Sequence, residues 1–177
     1  LKLVIIDIRI GEGYRAGHIP KAINVPFPDA IENPSSPWFV ERDGLLLEMP
    51  EEADLFNTIG SAGIRGDSIV VVVPKLELPH PLVDATRVAD TLLYAGVQNV
   101  AVLDGGYDKW VNEGRLTSLE IVEPTPVTYT GKVDRTMFVS KEYVQKKIGK
   151  AIIIDAREPI EYFGCFIRPL WVRAGHI

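Results

Sequence analysis

The chain of 177 residues has one cysteine, Cys165, and three histidines, His18, His80 and His176, so nucleophilic or metal chemistry has few places to start. A lone thiol builds neither an internal disulfide nor a cysteine-based zinc site. To act as a nucleophile it must be a thiolate, which needs backbone N–H groups and a helix N-terminus around it. Cys165 instead sits between Phe163 and Phe166, and a loop thiol buried against those two rings is the expected state. His80 stands in PKLELPHPLVD with neither a nucleophile nor a second ligand beside it, so it makes neither a base nor a metal site. The other chemistry-bearing groups form two matched sets. A β-branched run ends in Asp-x-Arg at Asp7 and Arg9, and again at Asp155 and Arg157. A tyrosine and Arg-Ala-Gly-His-Ile follow each time, placing His18 and His176 in matching turns. A carboxylate and a guanidinium at the end of a buried strand are expected to tie the turn to the fold, and both histidines to hydrogen-bond structurally rather than act as general bases.

The spacing of the two sets organises the chain. Their separation far exceeds the roughly 20–50 residues of a solenoid repeat, so the pattern is a duplicated domain, with an insertion in the second copy before its histidine. The first copy runs on from Ile19 into PKAINVPF, whereas the second stops at Ile177. The expected organisation is a first domain over 1–118, a linker over 119–136, and the incomplete beginning of a second domain over 137–177. The linker segment LEIVEPTPVTYTGKVDRT lacks helical periodicity and contains two prolines.

Short apolar runs alternate with helix-like stretches, the pattern of strands joined by crossover helices. Leu3 to Ile6 opens the sheet. Ile69 to Val73 is an unbroken β-branched run, which suits a central strand. A helix over 85–95 carries an apolar stripe of Ala85, Val88, Ala89, Leu92 and Leu93, with Asp84 as its expected cap and Gly96 as its end. Val100 to Leu103 is the next strand, and Asp104-Gly105-Gly106 turns the chain into a short helix containing Trp110. Ser140 caps a helix through Ile148, and Ala151 to Ile154 repeats the first strand. Residues 28–66 read as loops with one helix near Glu51 to Ile59. A right-handed crossover puts the loop after Val73 at the carboxyl edge of the sheet, where such folds place ligands.

Composition is ordinary for a globular protein, 46% hydrophobic and 24% charged. The net charge of −5 gives no electrostatic reason to expect nucleic acid or an anionic membrane as partner. No apolar run approaches the roughly 18 residues of a membrane span. The chain starts on a strand at Leu1, without a methionine, so cytoplasm and periplasm both stay open as compartments.

The strand ending in Asp7-Ile8-Arg9 with YRAGHIPKAINVPF, the strand VVVV followed by DATRVADTLLYAGVQNV, the closing VAVLDGGYDKW, and the second set IIIDAREPIEYFG with RAGHI together resemble the rhodanese sulfurtransferases, in particular the tandem type. The resemblance implies an α/β, three-layer rhodanese-like fold, a parallel central sheet with helices on both faces. It also implies transfer of a sulfane sulfur from thiosulfate or 3-mercaptopyruvate, through a cysteine persulfide, to a thiol or cyanide-like acceptor, with a sulfur-accepting protein as a further partner and no cofactor or metal. In the family the nucleophile lies between the strand matched by Ile69 to Val73 and the helix beginning near Asp84.

Here that loop has no cysteine, and Pro74, Pro79 and Pro81 remove backbone donors that an anion cradle would use. Domain one therefore cannot form a persulfide there, and the catalytic cysteine is expected beyond Ile177. Cys165 lies on the wrong element and is not expected to be catalytic. Arg168 and Arg173 flank the region that in the family contributes to the mouth of the pocket, so they are the candidate substrate-binding residues. Glu161 stands where mercaptopyruvate-type members carry an arginine, which inclines the reading toward thiosulfate. A non-catalytic interaction or regulatory module is the alternative. A related phosphatase would need a cysteine and an arginine cradling phosphate, and domain one has neither in place.

Overall fold

The computed structural model describes residues 2–30, 32–33, 36–74, 82–167 and 173–177. They fall into two compact units, Leu1–Met137 and Phe138–Ile177.

In the first unit the β-branched run LVIID forms β1 (Leu3–Asp7), and IVVVV forms β5 (Ile69–Val73). These two strands pair in parallel, from Leu3 opposite Ile69 to Asp7 opposite Val73. On the far side of β1 lies the short β2 (Ile23–Asn24), with Ile6 opposite Ile23. On the far side of β5 lies β6 (Asn99–Val102), with Val70 opposite Val100. The sheet order is β2-β1-β5-β6, all parallel, so β1 and β5 are interior.

Alternation along β1 and β5 divides the core between the two faces of the sheet. Val4, Ile6, Val70 and Val72 pack with Leu55 and Ile59 of α2 (Glu52–Ser61) and with Val88 and Leu92 of α3 (Val83–Tyr94). Val73, with Ile5 packed beside it, faces the other way, toward Tyr14 of α1 (Gly11–Arg15) and Tyr107 and Trp110 of α4 (Gly106–Asn112). Helices on both faces of a parallel sheet make the α/β three-layer architecture that the strand–helix alternation predicts.

Two features depart from the sequence reading. Asp84 lies in the first turn of α3, and Leu82 occupies the cap without a side-chain hydrogen bond. The stretch expected to be loops around 28–48 contains an antiparallel pair, β3 (Val40–Arg42) and β4 (Leu45–Glu48). Just before it, Trp38 and Phe39 are fully buried in the main core. The Trp38 indole N–H donates to the carbonyl of Val25, 3.1 Å, and Phe39 meets Phe27 with ring centroids 4.9 Å apart.

Residues 119–136 carry no helix or strand, yet the segment is moored along the first unit. The Val127 N–H donates to Gly60 O, 2.9 Å, the buried Tyr129 hydroxyl donates to Ala95 O, 2.9 Å, and the Asp134 N–H donates to Tyr94 O, 2.7 Å. Gly60 permits this approach, because a Cβ there would sit 2.4 Å from Val127 O.

In the second unit, Ser140 caps α5 (Lys141–Lys147) by accepting from the Tyr143 N–H, 3.3 Å. Ala151 to Ile154, expected to repeat β1, form no strand. Ile152 is 91% and Ile154 84% exposed, where their counterparts Val4 and Ile6 are buried. A strand is defined by its ladder, and no described residue of this unit offers one. After this segment comes the single turn α6 (Pro159–Tyr162).

Candidate functional site

The matched sets close into the same atomic cluster twice. In the first unit, Asp7 is the last residue of β1, and the chain turns so that Arg9 folds back onto it. The Arg9 Nε donates to both carboxylate oxygens of Asp7, 3.0 and 3.1 Å, Nη2 donates to Oδ2, 2.6 Å, and the Arg9 backbone N–H donates to Oδ1, 3.0 Å. Nη2 also donates to Gly17 O, 2.7 Å. The Tyr107 ring covers the guanidinium, 3.6 Å from Cζ to the ring centroid. His18 stacks on Tyr14 at 3.9 Å, with its Nδ1 2.9 Å from Tyr14 O. Burial pushes the Tyr14 phenol above its ordinary pKa, and its hydroxyl donates to Ala22 O, 2.7 Å.

In the second unit, Arg157 Nε donates to Asp155, 2.9 and 3.1 Å, its backbone N–H donates to Oδ1, 3.1 Å, and its Nη2 donates to Gly175 O, 2.9 Å. His176 stacks on Tyr162 at 3.9 Å, with its Nδ1 3.0 Å from Tyr162 O. Asp7, Arg9, Tyr14, Gly17 and His18 thus correspond to Asp155, Arg157, Tyr162, Gly175 and His176. The sequence showed the repeated tyrosine without its task. Gly17 O, Gly175 O and Tyr107 had no separate signal, because their roles depend on the turn that brings them to the guanidinium.

Hydrogen bonds from the Arg157 side chain, then from its backbone N–H, lower the Asp155 pKa to about 2. An Asp ordinarily titrates at about 3.9. Because the folded value is depressed, the stabilisation from this pair is present above the ordinary value and is lost as pH falls toward the folded one. A carboxyl-carbon NMR titration is expected to give Asp155 a midpoint of about 2, and a midpoint at about 3.9 would contradict the cluster.

Where the other candidates lie follows directly. Around the second cluster is a groove of about 630 Å³ whose lining includes Ile153, Asp155, Arg157, Tyr162, Arg173 and His176. Arg157 is committed to Asp155. Arg173 is exposed, with no hydrogen bond or ion pair among the described residues, and its counterpart Arg15 at the end of α1 is exposed as well. Arg168 lies outside the described residues, as do His80, Pro79 and Pro81. Glu161 is buried and accepts from the Glu158 backbone N–H, 3.2 Å, so it is engaged in its own turn. Cys165 is exposed, and so are Phe163 and Phe166, contrary to the expected burial. These residues follow the single turn α6, and no described core lies under them. No helix among the described residues is long and apolar enough to cross a membrane.

At the carboxyl edge of the sheet, β5 ends at Val73, and Pro74 O accepts from the Tyr107 N–H, 2.9 Å. The loop from 75 to 81 lies outside the described residues, and its sequence contains no cysteine.

Residues 1–113 match the model of the Rhodanese-like domain. Over 168 residues the chain is 29% identical to a thiosulfate sulfurtransferase of Cricetulus griseus, covering 93% of this chain and 53% of that one. It is 28% identical over 168 residues to a thiosulfate sulfurtransferase of Gallus gallus, covering 93% and 54%. The chain spans about half the length of the curated relatives it matches. Among solved structures, wild-type EanB superposes with a TM-score of 0.73 at 23% identity, covering 100% of this chain and 43% of that one.

Proposed function

We infer, from the premise that this chain belongs to the rhodanese-like domain family, that the protein it represents is a sulfurtransferase whose chemistry lies in a second domain continuing beyond residue 177. The observation that carries this reading is the repeated Asp-Arg-Tyr-His cluster, together with relatives named thiosulfate sulfurtransferase that align along nearly the whole chain. In this reading residues 1–118 are a domain without a catalytic cysteine, residues 119–136 join it to the second, and residues 137–177 begin that second domain.

The proposed reaction is a double displacement. A cysteine thiolate attacks the outer sulfur of thiosulfate, the S–S bond breaks, and sulfite leaves with the electron pair. The persulfide's outer sulfur then passes to cyanide or a thiol, small or protein-borne, and the thiolate is regenerated. 3-Mercaptopyruvate is the other candidate donor. An anionic donor is favoured by cations at the pocket mouth, the role proposed for Arg168 and Arg173.

The test is thiosulfate-to-cyanide transfer by the full-length protein and by residues 1–177 alone. Activity is expected only in the full-length protein, and Cys165→Ser is expected to leave that activity unchanged. Thiocyanate formed by residues 1–177 would overturn the reading. Inactivity of both would favour the alternative, a non-catalytic interaction or regulatory module.

A further inference from the structure

Leu47 lies inside β4 with left-handed backbone, φ 63°. That conformation presses Cβ against the following carbonyl oxygen, so a leucine stays there only where its surroundings fix it. The local cause is a bulge. Arg42 pairs with Leu45, whereas Val40 pairs with Glu48, so two steps along β3 are matched by three along β4. One residue of β4 is extra. Bulges of this kind ordinarily place a glycine at the left-handed position, and here it is a leucine.

A regular register is one residue away. Asp43 and Gly44 both have positive φ, 54° and 76°, the two-residue hairpin turn, and its flanking pair Arg42 and Leu45 is a hydrogen-bonded pair. Without the bulge, Glu41 would face Leu46 and Val40 would face Leu47. Hydrogen-bonded and non-hydrogen-bonded pairs alternate along such a ladder, so the Val40 N–H would then donate to Leu47 O. In the observed register Leu47 O accepts instead from Arg87 Nη2 of α3, 3.0 Å. Glu48 and Asp90 place negative charge near that guanidinium.

We propose that the β3–β4 hairpin is a two-register switch, and that Arg87 is the positioning residue that holds it in the bulged register. The regular register releases Leu47 from left-handed backbone and gives its carbonyl to Val40. The bulged register keeps the charge-assisted bond to Arg87, so the strain of Leu47 stands against that bond. The change is local. The turn and the Arg42–Glu51 ion pair, 2.6 Å, serve both registers, and Met49 just beyond β4 packs against the main core. What changes is the residue opposite Val40, because a one-residue slip brings Leu47 there and turns Glu48 to the other face. The hairpin is tied to the second turn of α3, the helix whose chain enters from the carboxyl edge of the sheet. Register therefore exchanges an acidic and an apolar side chain beside that edge.

Cross-strand NOEs in the 177-residue chain read the register directly. A Val40–Glu48 contact marks the bulged register, and a Val40–Leu47 contact marks the regular one. Leu47 is 45% exposed, so substitutions there leave the core intact. Leu47→Gly removes the left-handed penalty and is expected to favour the bulged register. Leu47→Val puts a β-branched side chain at positive φ, the poorest fit, and is expected to favour the regular register. The ratio of regular to bulged register is expected to differ between the two variants by roughly five- to thirtyfold, the equivalent of the left-handed cost of a residue other than glycine. Arg87→Gln withdraws the charged donor and is expected to move the hairpin in the same direction as Leu47→Val. A Leu47→Val protein that keeps the Val40–Glu48 contact and gains none to Leu47 would overturn the proposal, and so would the same pattern in Arg87→Gln. Should Arg87→Gln not fold, the two Leu47 variants decide alone.

Discussion

Asp7→Ala is expected to destabilise the first unit by about 3–5 kcal/mol, the range for removing one partner of a buried ion pair. The carboxylate is fully buried and holds three hydrogen bonds from the Arg9 side chain and one from its backbone. Without it the guanidinium keeps, among the described residues, Gly17 O and the face of Tyr107 as partners, and burial leaves little water to replace what it lost. Arg9→Ala leaves the complementary defect, a buried carboxylate with no cation, and its loss is expected to be of the same order. The equivalent cut at Asp155 is the control. There the side chains of Arg157 and Asp155 are 31% and 20% exposed, so solvent takes over part of the lost pairing and the effect is smaller. Urea unfolding of Asp7→Ala and Asp155→Ala decides the matter. Equal losses in the two variants, or an Asp7→Ala protein as stable as the parent, would contradict a buried, structural first cluster.

Trp38→Ala is expected to destabilise the fold by about 3–5 kcal/mol, the usual range for truncating a buried tryptophan. Its ring is fully buried in the main cluster with Phe39, between elements that lie far apart in sequence. Its indole N–H also satisfies Val25 O, just past β2, so truncation leaves both a cavity and an unmatched carbonyl. Trp38→Phe separates the two terms. It retains much of the packing and loses the donor to a part-buried carbonyl, so its loss is expected to be at most the about 1–3 kcal/mol of a fully buried unpaired group. In a thermal melt each kcal/mol lowers Tm by roughly 2–4 °C for a chain of this size. A Trp38→Ala protein that melts with the parent would mean the 36–48 region does not belong to the core.

The importance of Trp38 was not readable beforehand, and the reason is physical. Residues 28–66 have prolines and irregular apolar clusters but no sustained period of 2 or 3.6, so local pattern says nothing about which residues turn inward. The β3–β4 pair and the two-residue β2 likewise depend on partners distant in sequence. Long, strongly periodic segments behaved differently. The unbroken IVVVV run became an interior strand, and of the predicted stripe Ala85, Val88 and Leu92 became the buried face of α3 with Ala89 partly buried, whereas Leu93 is exposed and Thr91 is buried in its stead. Even there, the end of the helix escaped local reasoning, because Leu82 rather than Asp84 took the cap position.

By itself the amino-acid sequence determined the repeated Asp-x-Arg and Arg-Ala-Gly-His-Ile motifs, the alternation of strands and helices, and the lack of a cysteine between Val73 and Asp84. All of these are properties of residue type and spacing along one chain. Only the tertiary structure decided what the repeated residues do. It spent the guanidiniums of Arg9 and Arg157 on their own aspartates, gave His18 a second carbonyl from a residue 102 positions away, and left Cys165 at the surface. It also distinguished two nearly identical β-branched runs: Val4 to Ile6 is an interior strand because β2 and β5 lie beside it, whereas Ile152 to Ile154 has no ladder among the described residues and stays exposed. A β-branched run supplies the propensity for a strand, but hydrogen-bond partners and a covered face come from elsewhere in space, and no local pattern encodes whether they are there.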